Sequence, residues 1–428
     1  MTNPRFVNIH ILQAMPFSNL NRDDMGAPKD LSYGGTRRVR VSSQCYKRST
    51  RKELQAGAPD MDFGERSRQH GRVIAEELTN KHDWPELTAR IAAQDMIKPL
   101  GEKEKGGASE GSQDKDTSTK RAKKGKADNT DPIAAMDTSV LLYLNKSDLD
   151  RFIALAQANR EIYQKAADQA TDTEQTPRVQ RSKSEKNKWE RTLLHVLKEH
   201  TGAGLALFGR MIAALPEGRI DGASQVAHAF TTHTAKLEVD YFTAVDDIAT
   251  GKASAGSGHL DTAEYAGGVF YRYATLDIEE LAESLTAAAD VARLAGMFVQ
   301  AFALAVPSGK RTSTAPHTLP ALAYVSLRSD RPVNLAAAFE TPVEKRTDAN
   351  GNRTSASGYL PGSLEALGEH LVCMDGFLGT GGRVWHAHAA TTPKELVNKG
   401  TGTVEGFGER MPLPDLLSAL EGKLGARR

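Results

Sequence analysis

The feature of this sequence that most constrains its fold is a long stretch without large apolar side chains. Residues 101–132 contain no Val, Ile, Leu, Met or aromatic residue, and Lys, Glu, Asp, Gly and Ser crowd together there. Such a segment cannot bury enough apolar surface to offset the entropy that it would lose on ordering. It is therefore predicted to be a flexible surface insertion, and the folded core must come from the sequence on either side.

Helical patterns of apolar residues flank this insertion. They cover residues 65–78 before it, and residues 147–166 and 188–198 after it. Apolar residues that recur every three to four positions are typical of a helix with one buried face. We therefore expect residues 60–205 to form a helical insertion that contains the flexible loop, carried on a β-containing core made of residues 1–59 and 206–428.

The β-containing core is predicted from strand patterns at both ends of the chain. Residues 6–12 alternate apolar and polar side chains, as a half-buried strand does, and a second strand over residues 38–41 leads into the helix-capping pair Ser42 and Ser43. The helix that follows should run to about Leu54. Further elements are expected at residues 269–273 (a strand), 278–305 (a long helix) and 413–424 (a final helix). Together these patterns predict an α+β fold.

Charge is informative only locally. The chain of 428 residues holds 55 basic and 54 acidic side chains, so its formal net charge is +1, and any nucleic-acid surface must come from clustering. Residues 34–52 hold seven basic residues and no acidic one: Arg37, Arg38, Arg40, Lys47, Arg48, Arg51 and Lys52.

The strongest candidate site lies on the helix within this basic run. At about 100° per residue, Gln44, Lys47, Arg48 and Arg51 share one face, and the hydroxyls and free N–H groups at the helix start add donors for an anion. A phosphate backbone laid across this face would meet donors and cations together. The alternative is an ordinary solvated basic face. A second basic run, at residues 178–198, is interrupted by acidic residues and is weaker evidence.

Candidate catalytic groups lack the spacing that catalysis or metal binding needs. Two acid pairs, Asp23 with Asp24 and Asp246 with Asp247, suggest a metal-dependent nuclease, and His228, His233 and His259 lie near the second pair. Adjacent acids on a strand point to opposite faces, however, and the two cysteines have no neighbour at ligand spacing. We therefore expect no enzyme activity, cofactor or metal, with the nuclease as the alternative. Residues 7–13 are too short for a signal or membrane segment, so a cytoplasmic protein without membrane contact is expected.

Several sequence blocks resemble one known family. They are NIH at residues 8–10, LNRDDMGAPKD at 20–30, GGTRRVRVSSQCYKR at 34–48, GRM at 209–211, DGASQVAHAFTTH at 221–233, DYFTAVDD at 240–247 and GVFYRYA at 268–274. In order and spacing they resemble the CasC family, the backbone subunit of the type I-E CRISPR complex called Cascade. The similarity covers most of the first two-thirds of the chain, whereas residues after 307 match only in scraps.

This resemblance implies a hand-like, non-enzymatic subunit. Its palm would be a modified RRM-like (ferredoxin-like) sheet, residues 60–205 would be helical fingers, and residues 233–268 would be a β-hairpin thumb. Copies would assemble head to tail along one crRNA guide, together with other Cascade subunits, and the guide would pair with target DNA.

The resemblance also assigns residues to the two nucleic acids. The crRNA-binding residues it implies are Arg22, Lys29, Ser42, Gln44, Lys47, Arg48, Arg51, Arg210, Met211, Tyr241, Phe242 and Val245. The residues near the family's DNA-contacting lysines are Lys186, Lys188, Arg191 and Lys198. Tyr241 and Phe242 would reach a neighbouring subunit's RNA segment, and Met211 would wedge against bases. Without the resemblance, ordinary core packing is the alternative for the two aromatic residues.

Overall fold

A computed structural model describes residues 3–101, 136–170, 177–199, 201–212, 214–244, 259–285, 288–345, 358–401 and 406–426. The strands are β1 Phe6–Ser18, β2 Asp30–Tyr33, β3 Thr36–Val41, β4 Glu65–Ser67, β5 Leu142–Leu144, β6 Ser224–Val226, β7 Ala229–Thr231, β8 Glu238–Ala244, β9 His259–Asp277, β10 Leu322–Arg328, β11 Arg383–Ala389 and β12 Glu409–Arg410. The helices are α1 Ser43–Gly57, α2 His70–His82, α3 Glu86–Gly101, α4 Lys146–Ala158, α5 Arg160–Asp168, α6 Lys183–Lys198, α7 Ala203–Phe208, α8 Ile278–Ser284, α9 Ala288–Leu304, α10 Arg311–Thr314, α11 Leu360–Leu378, α12 Lys394–Thr401 and α13 Leu413–Gly425. Across these residues, no helix is both long and apolar enough to cross a membrane.

The first of two compact units, Met1–Pro59 with Ala223–Arg428, is built on one sheet. Its strand order is β12-β11-β10-β1-β9-β7-β3-β2, with β6 and β8 also paired to β9. All of these pairs are antiparallel except β11 with β12. β9 sets the layout, because its residues 266–277 pair with β1 whereas its residues 259–265 pair with β8. The predicted α+β class is confirmed.

β1 is buried along most of its length, although its alternating sequence predicted a half-buried strand. The polar side chains Asn8, His10 and Gln13 are all buried. The Tyr273 hydroxyl donates to Asn8 Oδ1 at 2.8 Å, and His10 Nδ1 lies 2.9 Å from the Tyr271 hydroxyl. Buried polar groups are tolerated when they are hydrogen-bonded, so the expectation of a solvent-facing side was wrong.

Burial of His10 makes stability depend on pH. Desolvation lowers the pKa of His10 to about 3, from an ordinary value of 6.5. Between these values the unfolded chain binds a proton at this position and the folded chain does not, so this contribution is complete above pH 6.5 and declines on acidification. Acidification from pH 7 to pH 5 should lower the free energy of unfolding of both proteins. We expect this decrease to be about 2 kcal/mol smaller for His10→Gln than for the wild type. Denaturant unfolding at both pH values measures this, and equal losses would contradict it.

The second unit, Asp60–Gly222, consists mainly of helices. Side chains from α2, α3, α4 and α6, among them Ile74, Met96, Phe152 and Leu193, share one apolar cluster. β4 and β5 form a two-stranded antiparallel sheet. Ile212 also belongs to the cluster, so residues 206–222, which the sequence analysis assigned to the palm, pack in this unit.

Some element boundaries differ from the predicted ones for local reasons. The start of the helix expected over 65–78 is strand β4, because pairing with β5 overrides helix propensity. The helix expected over 278–305 is two helices, since Leu285 is extended at φ −117° and ψ 141°. The helix over 147–166 is likewise split at Asn159 into α4 and α5.

The predicted insertion includes one residue that belongs to α3. Gly101 is buried as the last residue of α3, and a Cβ built on it would lie 2.7 Å from Thr138 side-chain atoms. The rest of the predicted insertion, residues 102–132, lies outside the described residues.

Candidate nucleic-acid interface

The predicted helix start at Ser42 is confirmed, and the inner face of α1 is buried. The Ser42 backbone is extended (φ −65°, ψ 150°), and its Oγ accepts a hydrogen bond from the Cys45 N–H at 3.3 Å. Such a cap satisfies one of the free donors at a helix start. Tyr46, Thr50 and Leu54 are buried, so they define the face that packs on the sheet. The opposite face of α1 is consequently turned outward.

The outward face of α1 carries the polar and basic side chains of the candidate site. Gln44, Arg48 and Lys52, spaced four residues apart, are exposed. Lys47 and Arg51 flank this row and are half-buried. Stems of long cations commonly pack on the protein while their charged ends stay in water. Lys52 was not among the predicted site residues, although its spacing from Gln44 and Arg48 places it in the same row.

Part of the basic run serves the fold. Lys47 Nζ donates to the backbone oxygen of Ser224 at 3.2 Å, which ties α1 to β6. Arg38 is fully buried and donates to backbone oxygens, including that of Thr231 at 3.0 Å. Arg37 forms an exposed ion pair with Asp30. The seven basic residues are therefore not equivalent.

A loop brings two further predicted residues to the start of α1. The Ser42 N–H donates to Asn21 Oδ1 at 2.8 Å, and the Lys29 N–H donates to the Asn21 backbone oxygen at 2.9 Å. Arg22 forms an isolated β-bridge with Pro28, which closes the loop. Arg22 is exposed and Lys29 is half-buried. Asn21 thus connects the loop that carries both cations to the helix cap.

Two residues that were not predicted for the interface, Arg40 and His228, lie beside the loop that carries Lys29. The Arg40 guanidinium, on β3, lies 3.1 Å from Nδ1 of the exposed His228. Arg40 was visible in the basic run. His228 was considered only as a metal ligand. It lies 188 positions from Arg40 in the sequence, and only sheet pairing brings the two together. Local spacing therefore gave no signal for His228.

The paired strands β8 and β9 expose aromatic side chains. Tyr241 lies opposite Thr262, and Phe242 lies opposite Asp261, in the β8–β9 ribbon (residues 238–244 with 259–265). Tyr241 is 72% exposed and Phe242 is 41% exposed. These exposed fractions argue against the core-packing alternative. The predicted site residue Val245 lies outside the described residues, as do Asp246 and Asp247.

In the second unit, the neighbouring predicted residues Arg210 and Met211 differ in exposure. Met211 is 78% exposed, as a wedge residue needs. The Arg210 side chain is only 1% exposed, and its guanidinium donates to Asp148 Oδ2 at 3.2 Å and to the backbone oxygens of Leu197 and Gly218 at 3.1 and 3.2 Å. These donors of the Arg210 guanidinium are used inside the unit, which favours a structural role for this side chain.

Three of the four candidate DNA-binding residues share the exposed side of α6. The helix starts with a capping box between Ser182 and Glu185. Its buried residues are Leu193, Leu194, Val196 and Leu197, whereas Lys186, Lys188, Arg191 and Lys198 are all exposed. At about 100° per residue, the last three of these cations share one face and Lys186 lies on the other side.

Asp23, His228 and His233, three of the candidate catalytic groups, have structural partners. Asp23 Oδ1 accepts hydrogen bonds from the N–H groups of Met25 and Ala27, both at 2.9 Å. His233 is buried, accepts from the Val269 N–H at 3.2 Å, and stacks on Tyr359 with ring centroids 3.6 Å apart. Over the described ranges, no three His, Cys, Asp or Glu side chains are grouped so that they could hold a metal ion.

Comparison with known proteins places this chain in a family. The model of the family described as "CT1975-like protein" matches residues 7–401. A solved chain of a "CRISPR RNA-guided surveillance complex, pre-nicking" is 32% identical, with a TM-score of 0.75, over 98% of this chain and 100% of its own length. A chain of another "CRISPR RNA-guided surveillance complex" is 28% identical, with a TM-score of 0.65, over 97% and 99%. No curated protein sequence is matched significantly.

The family match and the two structures confirm the resemblance indicated by the sequence blocks. They extend it, because they cover the chain beyond residue 307, where the blocks were weak. This chain therefore belongs to the CT1975-like family.

Proposed function

We propose that this protein is a non-catalytic, multi-copy crRNA-binding backbone subunit of a type I-E CRISPR interference complex. The first unit would be an RRM-like palm, the β8–β9 ribbon its thumb, and the helical unit its fingers. Copies would follow one another head to tail along one guide, with other Cascade subunits at the ends. The similarity over the full length of a surveillance-complex chain supports this assignment.

The outward face of α1 is the observation that carries the proposal. Gln44, Arg48 and Lys52 form an exposed polar row, and the loop that holds Arg22 and Lys29 is hydrogen-bonded to the start of the same helix. Arginine and lysine bind phosphate oxygens, and phosphates are the same in every nucleotide. Such a surface would hold a guide RNA of any sequence.

The exposed apolar residues would order the bases. Tyr241 and Phe242, with Val245, would stack against RNA held by a neighbouring copy, and Met211 would wedge into the stack. Stacking is indifferent to base identity, so base pairing alone would read the target. The cations of α6 would then contact the phosphates of target DNA.

Mass measurement with a nuclease control tests the proposal. The protein is expressed with a labelled guide RNA, purified, and incubated with magnesium with and without a chelator. We expect one RNA to carry several copies of the protein, and we expect the RNA to stay intact in both incubations. Cleavage that the chelator abolishes would support the ribonuclease alternative, and a protein purified without RNA would contradict RNA binding.

Removing the ribbon aromatics should weaken assembly while leaving the fold intact. Because both side chains are exposed, Tyr241→Ala with Phe242→Ala should change the free energy of unfolding by about 0.5 kcal/mol or less. Assembly on RNA should weaken by about 1–3 kcal/mol for each base that loses its stacking partner. The matched control is Phe377→Ala, which removes an aromatic ring that is 86% exposed on α11. A double variant that fails to fold, or assembles like the control, would contradict the assignment.

A further inference from the structure

Three basic residues come together beside the start of α1. Arg40 lies on β3, His228 lies between β6 and β7, and Lys29 comes just before β2. The Arg40 guanidinium contacts His228 Nδ1 at 3.1 Å and is anchored by a 2.9 Å hydrogen bond from Nε to the Asp30 backbone oxygen. The Arg40 N–H donates to the Lys29 backbone oxygen at 2.8 Å. We call Lys29, Arg40 and His228 the basic notch.

The contact with Arg40 determines which nitrogen of His228 can donate. A guanidinium has only donors, so His228 Nδ1 must accept the hydrogen bond and the ring proton must be on Nε2. Nε2 has no hydrogen-bond partner among the described residues, and His228 is exposed. The notch therefore offers an N–H donor to solvent next to two permanent cations.

The electrostatic surroundings of the notch favour an anion. Burial, and then the positive charges of Arg40 and Lys29, lower the pKa of His228. β9, which pairs with the strands on both sides of His228, presents Ala274 and Thr275 to β6 and Tyr271 to β7, and none of them is charged at neutral pH. The carboxylate of Asp30, on β2, is paired with Arg37. Both positive charges disfavour a third one on His228, and an anion would offset this effect.

We propose that the basic notch binds one phosphate of the guide RNA, and that His228 takes up a proton when the phosphate arrives. This inference rests on the proposed function, because it assigns the phosphate to the guide. Nε2–H would donate to a phosphate oxygen. The Arg40 guanidinium would turn its N–H from Nδ1 to the phosphate, and Nδ1 would take up a proton from water, with Lys29 supplying a further contact. Charge on the phosphate would compensate the two cations, so that protonation of the ring would become easier in the complex than in the free protein. By reciprocity, the RNA would bind more tightly as the pH falls.

The test measures RNA affinity against pH with oligouridylate, whose bases do not titrate between pH 5.5 and 7.5. We expect the wild-type affinity to rise on acidification, by about tenfold if the pKa of His228 rises by one unit on binding. His228→Gln should bind with an affinity that changes far less with pH. His317→Gln, which replaces an exposed histidine of the same unit, should behave as the wild type. A pH dependence that survives in His228→Gln would overturn the proposal.

Two further measurements separate the notch from the wider interface. Arg40→Gln should lower the log–log salt slope of binding by about 0.7, the value for one single-strand phosphate contact, and an unchanged slope would remove Arg40 from the site. Histidine ring NMR should show the pKa of His228 raised by oligouridylate and not by sulfate at equal ionic strength. An equal rise with sulfate would indicate a small-anion site instead. If the wild type binds no oligouridylate, the proposed function fails. If it binds and His228→Gln matches it at every pH, only the notch fails.

Discussion

Reversing the charge at Lys47, Arg48 and Arg51 should abolish guide-RNA binding while the protein stays folded. Each substitution by Glu replaces an attraction for phosphate by a repulsion. Neutralising one residue alone, as in Arg48→Gln, should lower the log–log salt slope of binding by about 0.7, the value for one single-strand contact. Binding should be lost for every guide sequence alike, because phosphates carry no sequence information. Filter binding or fluorescence anisotropy over a salt series measures both quantities.

The matched comparison reverses the same number of charges on another helix. Lys186, Lys188 and Arg191 are exposed on α6, and their reversal should spare guide binding and weaken only target-DNA binding. Because Lys47 also bonds to the Ser224 backbone, a second variant, Arg48→Glu with Lys52→Glu, changes only exposed positions of α1. If the two triple variants bind RNA equally well, or if both α1 variants retain wild-type affinity, the face of α1 is an ordinary solvated surface.

Breaking the pair between Asp148 and Arg210 should cause the largest loss of stability in the helical unit. Both side chains are at most 1% exposed, and Asp148 Oδ2 also accepts from the Asn145 N–H at 3.0 Å. Burial raises the pKa of Asp148 to about 6 and lowers that of Arg210. Asp148→Ala would leave a buried guanidinium without its anion, at a cost of about 3–5 kcal/mol. The control is Asp150→Ala, which removes an exposed carboxylate from the same helix and should cost little.

Tryptophan fluorescence can follow this unit selectively. Trp84 and Trp189 belong to the helical unit, and replacing Trp385, on β11, by Phe leaves those two as the only tryptophans. In that background the double variant Asp148→Leu with Arg210→Met should recover most of the loss, because no buried charge remains unpaired. A loss for Asp148→Ala no larger than that for Asp150→Ala would show that the pair contributes little. If the double variant is folded but binds RNA more weakly, Arg210 contributes to RNA binding.

Features that depend on a few neighbouring residues could be predicted from the sequence. The cap at Ser42 and the inner face of α1 follow from local hydrogen bonding and helical spacing, and both are present. The family resemblance rested on short blocks of contiguous sequence, and the family match bears it out. The α+β class followed from the two periodicities in the same way.

Features that depend on distant partners could not be predicted in this way. Arg210 and Met211 are adjacent in the sequence, yet one is buried against Asp148 and the other is exposed. Spacing cannot distinguish them, since the carboxylate that receives Arg210 is 62 positions away.

The sequence by itself therefore determined the class of fold, the family and the basic face of α1, because each is encoded by residues close together in the chain. Tertiary structure alone decided which basic side chains are buried and hydrogen-bonded within the protein, as Arg38 is, and which remain at its surface. It also decided that β1 is buried, and that His228 lies beside Arg40. The physical reason is that burial and ion pairing are set by what packs on a residue from elsewhere in the chain, and local spacing does not carry that information.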